Sequence, residues 1–132
     1  MKKDLTKNPN CFVCGKKNDA GLRADFEFDA GNRSLRGTFT PRTEHEGWEG
    51  IVHGGIIAAL LDEAMVKLAA HLGMAVVSAE MTVKFKAPAK PGERIAVQGA
   101  IVDSRNRLVL AEASVRRGPV VIAEATGKLL KI

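Results

Sequence analysis

Gly54-Gly55-Ile56-Ile57-Ala58-Ala59-Leu60-Leu61-Asp62-Glu63-Ala64-Met65-Val66-Lys67-Leu68-Ala69-Ala70-His71-Leu72 is the one stretch with sustained helical periodicity, and what covers it sets the architecture. On a helical wheel Ile57, Ala58, Leu61, Ala64, Met65, Leu68 and Leu72 share one broad apolar face. Ala59, Ala69 and Ala70 add small residues suited to close packing. Such a helix is expected to be covered on most sides. Gly73 supplies its C-terminal stop.

On both sides of the helix the pattern is β. Over 22–29 Leu22, Ala24, Phe26 and Phe28 alternate with Arg23, Asp25, Glu27 and Asp29, the signature of a half-buried strand. Ala30-Gly31-Asn32 is turn chemistry, and a second strand follows over 34–40. The segment 41–53 reads as irregular. Beyond the helix, strands are predicted over 76–87, 93–103, 107–117 and 120–131, separated by Pro88…Pro91-Gly92, Ser104-Arg105-Asn106 and Gly118-Pro119. The expected class is α+β: one long central helix wrapped by an antiparallel sheet of about six strands in a meander. Residues 1–132 are expected to form a single domain, with residues 1–20 as its lead-in segment.

Composition narrows the functions. The chain has 132 residues, of which 45% are apolar and 27% charged, an ordinary globular balance. No apolar run approaches the ~18 residues that span a bilayer, so no membrane partner is expected. MKKDLTKNPN is basic without a following hydrophobic region, and the cytoplasm is the expected compartment. The net charge of +5 favours anionic partners. Its arginines are scattered as Arg33/Arg36, Arg105/Arg107 and Arg116/Arg117, and tyrosine is absent. Nucleic acid is therefore not expected, whereas a ligand bearing several phosphates fits the same charge. Cys11 and Cys14 form a lone C-x-x-C. Its plain reading is a tight turn into the first strand; the other is a metal half-site completed across a dimer.

The chemistry gathers at the head of the helix. His53-Gly54-Gly55 opens it, leaving its first backbone N–H groups free to face whatever lies beyond. With the helix dipole and room for close approach, this suits a developing oxyanion; a glycine hinge serving only tight packing is the alternative. Asp62 has Ala58, Ala59, Met65 and Val66 as its helix neighbours and no cation among them, which marks it as the chemical carboxylate. The alternative is a carboxylate reaching solvent or a distant arginine. Glu63 has Lys67 four residues on and reads as half of a solvated ion pair. His53 is expected to be neutral and to shape the loop by hydrogen bonding; His45 and His71 read as surface residues. No nucleophile elbow, P-loop, dinucleotide fingerprint or H-E-x-x-H is present.

At these residues the sequence resembles the hotdog-fold acyl-CoA thioesterases, in the branch that includes phenylacetic-acid-pathway enzymes. Gly50-Ile51-Val52-His53-Gly54-Gly55, with Asp62 nine residues after the histidine, is similar to the family's helix signature. Met81-Thr-Val-Lys-Phe-Lys-Ala-Pro88-Ala-Lys-Pro91-Gly92 is similar to its following strand, and Cys11-Phe-Val-Cys14-Gly15 to the lead-in of some branch members. The resemblance implies a thioester carbonyl against the Gly54 N–H. Asp62 from a partner subunit acts as general base on water or as nucleophile, and Ser78 orients the water. Some relatives carry asparagine where this chain has Gly47, leaving Glu46 or Trp48 to fill that role. The resemblance also implies a homodimer joined edge to edge, or a homotetramer, with an acyl-CoA substrate. No metal or cofactor is expected, coenzyme A entering only as part of the substrate. Val52, Trp48, Lys86, Lys90, Arg105 and Arg107 are the candidate substrate contacts, the four cations for coenzyme A phosphates; an ordinary charged surface is the alternative for each. Three rival readings remain: a non-catalytic acyl-CoA sensor, a hotdog dehydratase or hydratase, and a nucleic-acid-binding domain.

Overall fold

The structure, a computed structural model, describes residues 8–132. The first seven residues of the lead-in segment, and with them most of the basic N-terminal stretch, lie outside the described residues. The elements run β1 (Asp25–Asp29), β2 (Ser34–Phe39), a 3-10 turn (Thr43–His45), α1 (Gly54–His71), β3 (Val76–Phe85), β4 (Ile95–Arg105), β5 (Leu108–Arg117) and β6 (Val120–Lys131). All six strands form one antiparallel sheet in the order β1-β2-β4-β5-β6-β3. The order departs from a plain meander. α1 carries the chain across the sheet, so β3 pairs with β6 at the far edge and leaves β4 beside β2.

Each boundary has a local cause. The alternation begun at Leu22 becomes a strand only at Asp25, because Arg23 sits at φ 55 and interrupts the extended run. Helix α1 ends in a Schellman motif: Gly73, at φ 87, donates to the Ala70 carbonyl, and Met74 N–H reaches back to Ala69. Leu60, Leu61, Met65 and Leu68 are fully buried, each stabilising by about 1.5–3 kcal/mol relative to exposure. The sheet closes on the helix so tightly that a Cβ on Gly99 would lie 2.8 Å from the Ala64 carbonyl oxygen. The buried apolar residues make one cluster, joined by Val13 of the lead-in segment and by Leu22 just after it.

The two sheet edges differ. β1 is short and carries Asp25, Glu27 and Asp29, charges that discourage further pairing. β3 is ten residues long and leaves Val77 and Phe85 exposed. A bulge interrupts β3: Ser78 pairs with Leu129 and Glu80 with Lys128, so Ala79 is extra. Before the bulge Val76 and Ser78 face the helix; after it Met81 and Val83 do.

Candidate active site

The first turn of α1 is built around His53 as N-cap. Its Nδ1 accepts from the Gly55 N–H at 2.8 Å, and its carbonyl accepts from the Ile56 N–H at 2.9 Å. An accepting Nδ1 leaves the ring proton on Nε2, so His53 here is a loop-shaping neutral imidazole. A Cβ on Gly55 would stand 3.0 Å from that nitrogen, so glycine lets the ring sit this close to the helix start. Gly54 N–H is the one first-turn donor with no acceptor among the described residues. It faces outward at the positive end of the helix dipole. Phe85 lies beside it, two ring carbons 3.5 Å from where a Gly54 Cβ would be, and is 57% exposed. Sequence reasoning missed Phe85, because the bulge that turns it to this side has no signature in the local pattern.

Asp62 sits eight residues further along α1. Ser78 Oγ donates to its Oδ1, leaving Oδ2 free, and no cation among the described residues pairs with it. At 1.5 Å per residue, Asp62 and Gly54 are about 12 Å apart along the axis. One thioester carbonyl cannot touch both groups of the same chain.

The loop before the helix explains the missing asparagine. A Cβ on Gly47 would lie 3.2 Å from both Cα and Cδ2 of His53, so the histidine ring occupies the space. The Glu46 carboxylate is taken up by the Gly50 N–H, and Trp48 projects away with 81% of its surface exposed. Val52 is only 4% exposed and donates its N–H to the Ala89 carbonyl, so its side chain serves the core and does not line a substrate surface.

The candidate cations divide between the two ends of the sheet. Lys86 follows Phe85 and holds Glu124 at 2.9 Å, lowering that carboxyl below its ordinary range; Lys90 is exposed on the next loop. Arg117, not singled out from sequence, joins them by donating to the Pro88 carbonyl at 3.0 Å. Arg105 and Arg107 lie at the other end, where Leu108, Leu130 and Val77 are in register, and Arg105 pairs with Asp103 at 2.7 Å. The structure does not bring them to Gly54 of the same chain. A depression of about 770 Å³ also lies elsewhere. Arg36, Lys84, Gln98 and Glu112 line it on the sheet face turned from the helix, with neither Gly54 nor Asp62 nearby.

Two further expectations are corrected. Glu63 is 7% exposed and accepts from Cys11 Sγ at 3.2 Å, because the lead-in segment covers that side of α1; it is not a solvated partner of Lys67. His45 is 6% exposed: its Nδ1 accepts from the Arg42 N–H at 2.9 Å and its carbonyl from the His53 N–H at 2.8 Å. His71 is exposed, stacked on Phe28 at 4.1 Å. Burial, then the Arg42 charge, hold the His45 pKa below its ordinary 6.5. The unfolded chain therefore binds more protons in that window, and the His45 contribution is full above pH 6.5 and lost as pH falls through the depressed folded value. Melting temperature should decline on acidification below pH 6.5, with a shallower decline in His45→Gln.

A model of the thioesterase superfamily matches residues 49–123, more than half of the chain. Among solved structures, a protein of that superfamily is 23% identical, with a TM-score of 0.88 over 99% of this chain and 67% of its own. The Escherichia coli PaaI protein from the phenylacetic acid degradation operon is 20% identical, with a TM-score of 0.79 over 89% of this chain and 87% of its own. A Streptococcus mutans protein bound to acetyl CoA is 18% identical, with a TM-score of 0.77 over 83% and 88%. Comparison with curated protein sequences finds no match. Among the described residues no helix is long and apolar enough to cross a membrane. One central helix against a six-stranded antiparallel sheet, together with the family match through the helix and its glycine-rich start, establishes that the chain belongs to the thioesterase superfamily and has the hotdog fold.

Proposed function

We propose that the chain is a cytoplasmic acyl-CoA thioesterase whose active site is split between two copies of itself, Gly54 from one and Asp62 from the other. The observation carrying this reading is the spacing of the two groups. Gly54 presents a free N–H suited to an oxyanion, Asp62 presents a free carboxylate oxygen, and their ~12 Å separation on one helix calls for a second chain. The long β3 edge, with Val77 and Phe85 uncovered, offers the surface on which two sheets join.

In the reaction so assembled, the Asp62 carboxylate takes a proton from water as the water oxygen attacks the thioester carbon. The Gly54 N–H holds the oxyanion, and collapse breaks the C–S bond to release the acid and coenzyme A thiolate, which takes up the proton held by Asp62 and restores the carboxylate. Ser78 fixes Asp62 through Oδ1 and leaves Oδ2 for the water. Phe85 walls the carbonyl end of the acyl group. Lys90 and Arg117 stand at the same end for the phosphates. No metal or cofactor enters these steps, and coenzyme A is part of the substrate. The structures of relatives with acetyl CoA or coenzyme A support that ligand class here.

The direct test is free-thiol release from aryl, short, medium and long acyl-CoAs. Turnover identifies the preferred acyl group. A folded protein that binds acyl-CoA but releases no thiol from any of them is a sensor, and the hydrolase reading fails. The interface is tested by Val77→Lys, which places a charge on the open β3 edge. It is expected to convert dimers to monomers by sedimentation and to lose thiol release in parallel; a wild-type monomer with full turnover overturns the split site.

A further inference from the structure

The C-x-x-C that the proposed reaction leaves unused does not stand alone. Cys11 Sγ, Cys14 Sγ and a Glu63 carboxylate oxygen lie within 4.8 Å of one another, although Glu63 is 52 residues from Cys11. The turn carrying the cysteines is tightly made. Gly15 N–H donates to the Cys11 carbonyl at 2.9 Å, and a Cβ on Gly15 would lie 2.4 Å from the Cys11 nitrogen. Only glycine closes it. Phe12 and Val13 accept from the Leu22 and Ala24 N–H groups, both at 2.8 Å, pinning the turn with its sulfurs toward the middle of α1. Glu63 is more than nine-tenths buried, yet no lysine or arginine among the described residues pairs with it; the cysteine thiols are its partners.

That is an unfavourable grouping for a chain alone. A buried carboxylate is ordinarily matched by a cation. The geometry fits what is missing. With zinc–sulfur bonds near 2.3 Å and zinc–oxygen bonds near 2.0 Å, tetrahedral angles put a sulfur and an oxygen roughly 3.5 Å apart. The Cys11 Sγ to Glu63 Oε2 distance is 3.2 Å.

We infer that Cys11, Cys14 and Glu63 bind a divalent metal ion of the zinc type, which ties the lead-in segment to the centre of helix α1. Two thiolates with one carboxylate select zinc over magnesium or calcium, which prefer oxygen donors. Both cysteines are only half-buried, so water can complete the tetrahedron as the fourth ligand. From sequence the two cysteines read as a tight turn or, alternatively, as a half-site completed by another subunit; the fold supplies a third donor from the same chain. The ion is structural, on a side of the helix that the proposed hydrolysis does not use, so each idea stands or falls without the other.

The test uses the whole protein, reduced and stripped of metal, then given Zn²⁺ or Co²⁺. One equivalent of zinc should survive desalting, and cobalt should give the intense near-ultraviolet band of thiolate-to-metal charge transfer. Chelation should lower the melting temperature by several degrees, and restoring Zn²⁺ should recover it. Cys14→Ser should abolish the cobalt band. Glu63→Gln, nearly isosteric and still folded by circular dichroism, should weaken zinc binding at least tenfold. Three outcomes overturn the inference: no zinc retained by the reduced, folded wild type, zinc affinity unchanged in Glu63→Gln, or a Cys11–Cys14 disulfide in protein purified under reducing conditions.

Discussion

Asp62→Asn is expected to lower the turnover of thiol release by about 10²–10⁴-fold, the range that a positioned general base contributes. Asparagine keeps the shape of the side chain and, through Oδ1, an acceptor for the Ser78 hydroxyl. It cannot take a proton from water. Since no ion pair is broken, the melting temperature should hold and the loss should fall on kcat with KM little changed. Full turnover in the asparagine variant would remove Asp62 from the chemistry.

Gly54→Pro should cost about 10²–10³-fold, the usual effect of deleting one oxyanion donor. Gly54 is the first helical residue, where proline is well tolerated because its missing N–H has no helical partner. His53, at φ −58 and ψ 133, already has the extended backbone that a following proline requires. A Cβ at this position meets Phe85 at ordinary contact distance. Gly54→Ala keeps the N–H and should keep most of the rate. Equal losses in proline and alanine would mean that bulk, and not the donor, matters. The two dead variants also test the split site together. In a random mixture half the dimers are mixed, and each mixed dimer holds one intact and one doubly defective site. Co-refolded Asp62→Asn and Gly54→Pro chains should therefore recover about a quarter of wild-type activity. No recovery, with mixed dimers present, would put both groups in one chain.

Much of this architecture was legible because its causes are local. The stripe from Ile57 to Leu72 made α1, the alternation through Phe26 and Phe28 made β1, and Gly73 ended the helix where a left-handed residue was needed. The head of the site was legible for the same reason: His53, Gly54 and Gly55 are consecutive, and their hydrogen bonds close within one turn. What escaped was non-local. Glu63 looked solvated because the residues that bury it, Cys11 and Cys14, belong to a segment some 50 positions away. His45 looked exposed because it lies in a 3-10 turn with no periodicity to betray it. Arg105 and Arg107 were grouped with Lys86 and Lys90 by loop position, although strand register places them at opposite ends of the sheet.

The extra residue at Ala79 bears on how this chain is to be matched with others. It shifts the phase of β3, so that even-numbered Ser78 and odd-numbered Phe85 stand on one face, one at Asp62 and the other at Gly54. A homologue lacking that residue would present the same two functions with one position fewer between them. Aligned without a gap, its hydroxyl or its aromatic ring would fall one column out of step and look absent. A single-residue gap between Ser78 and Glu80 is then a physical object, the footprint of one unpaired peptide unit. Substitution patterns along β3 keep their meaning only when they are counted separately on its two sides.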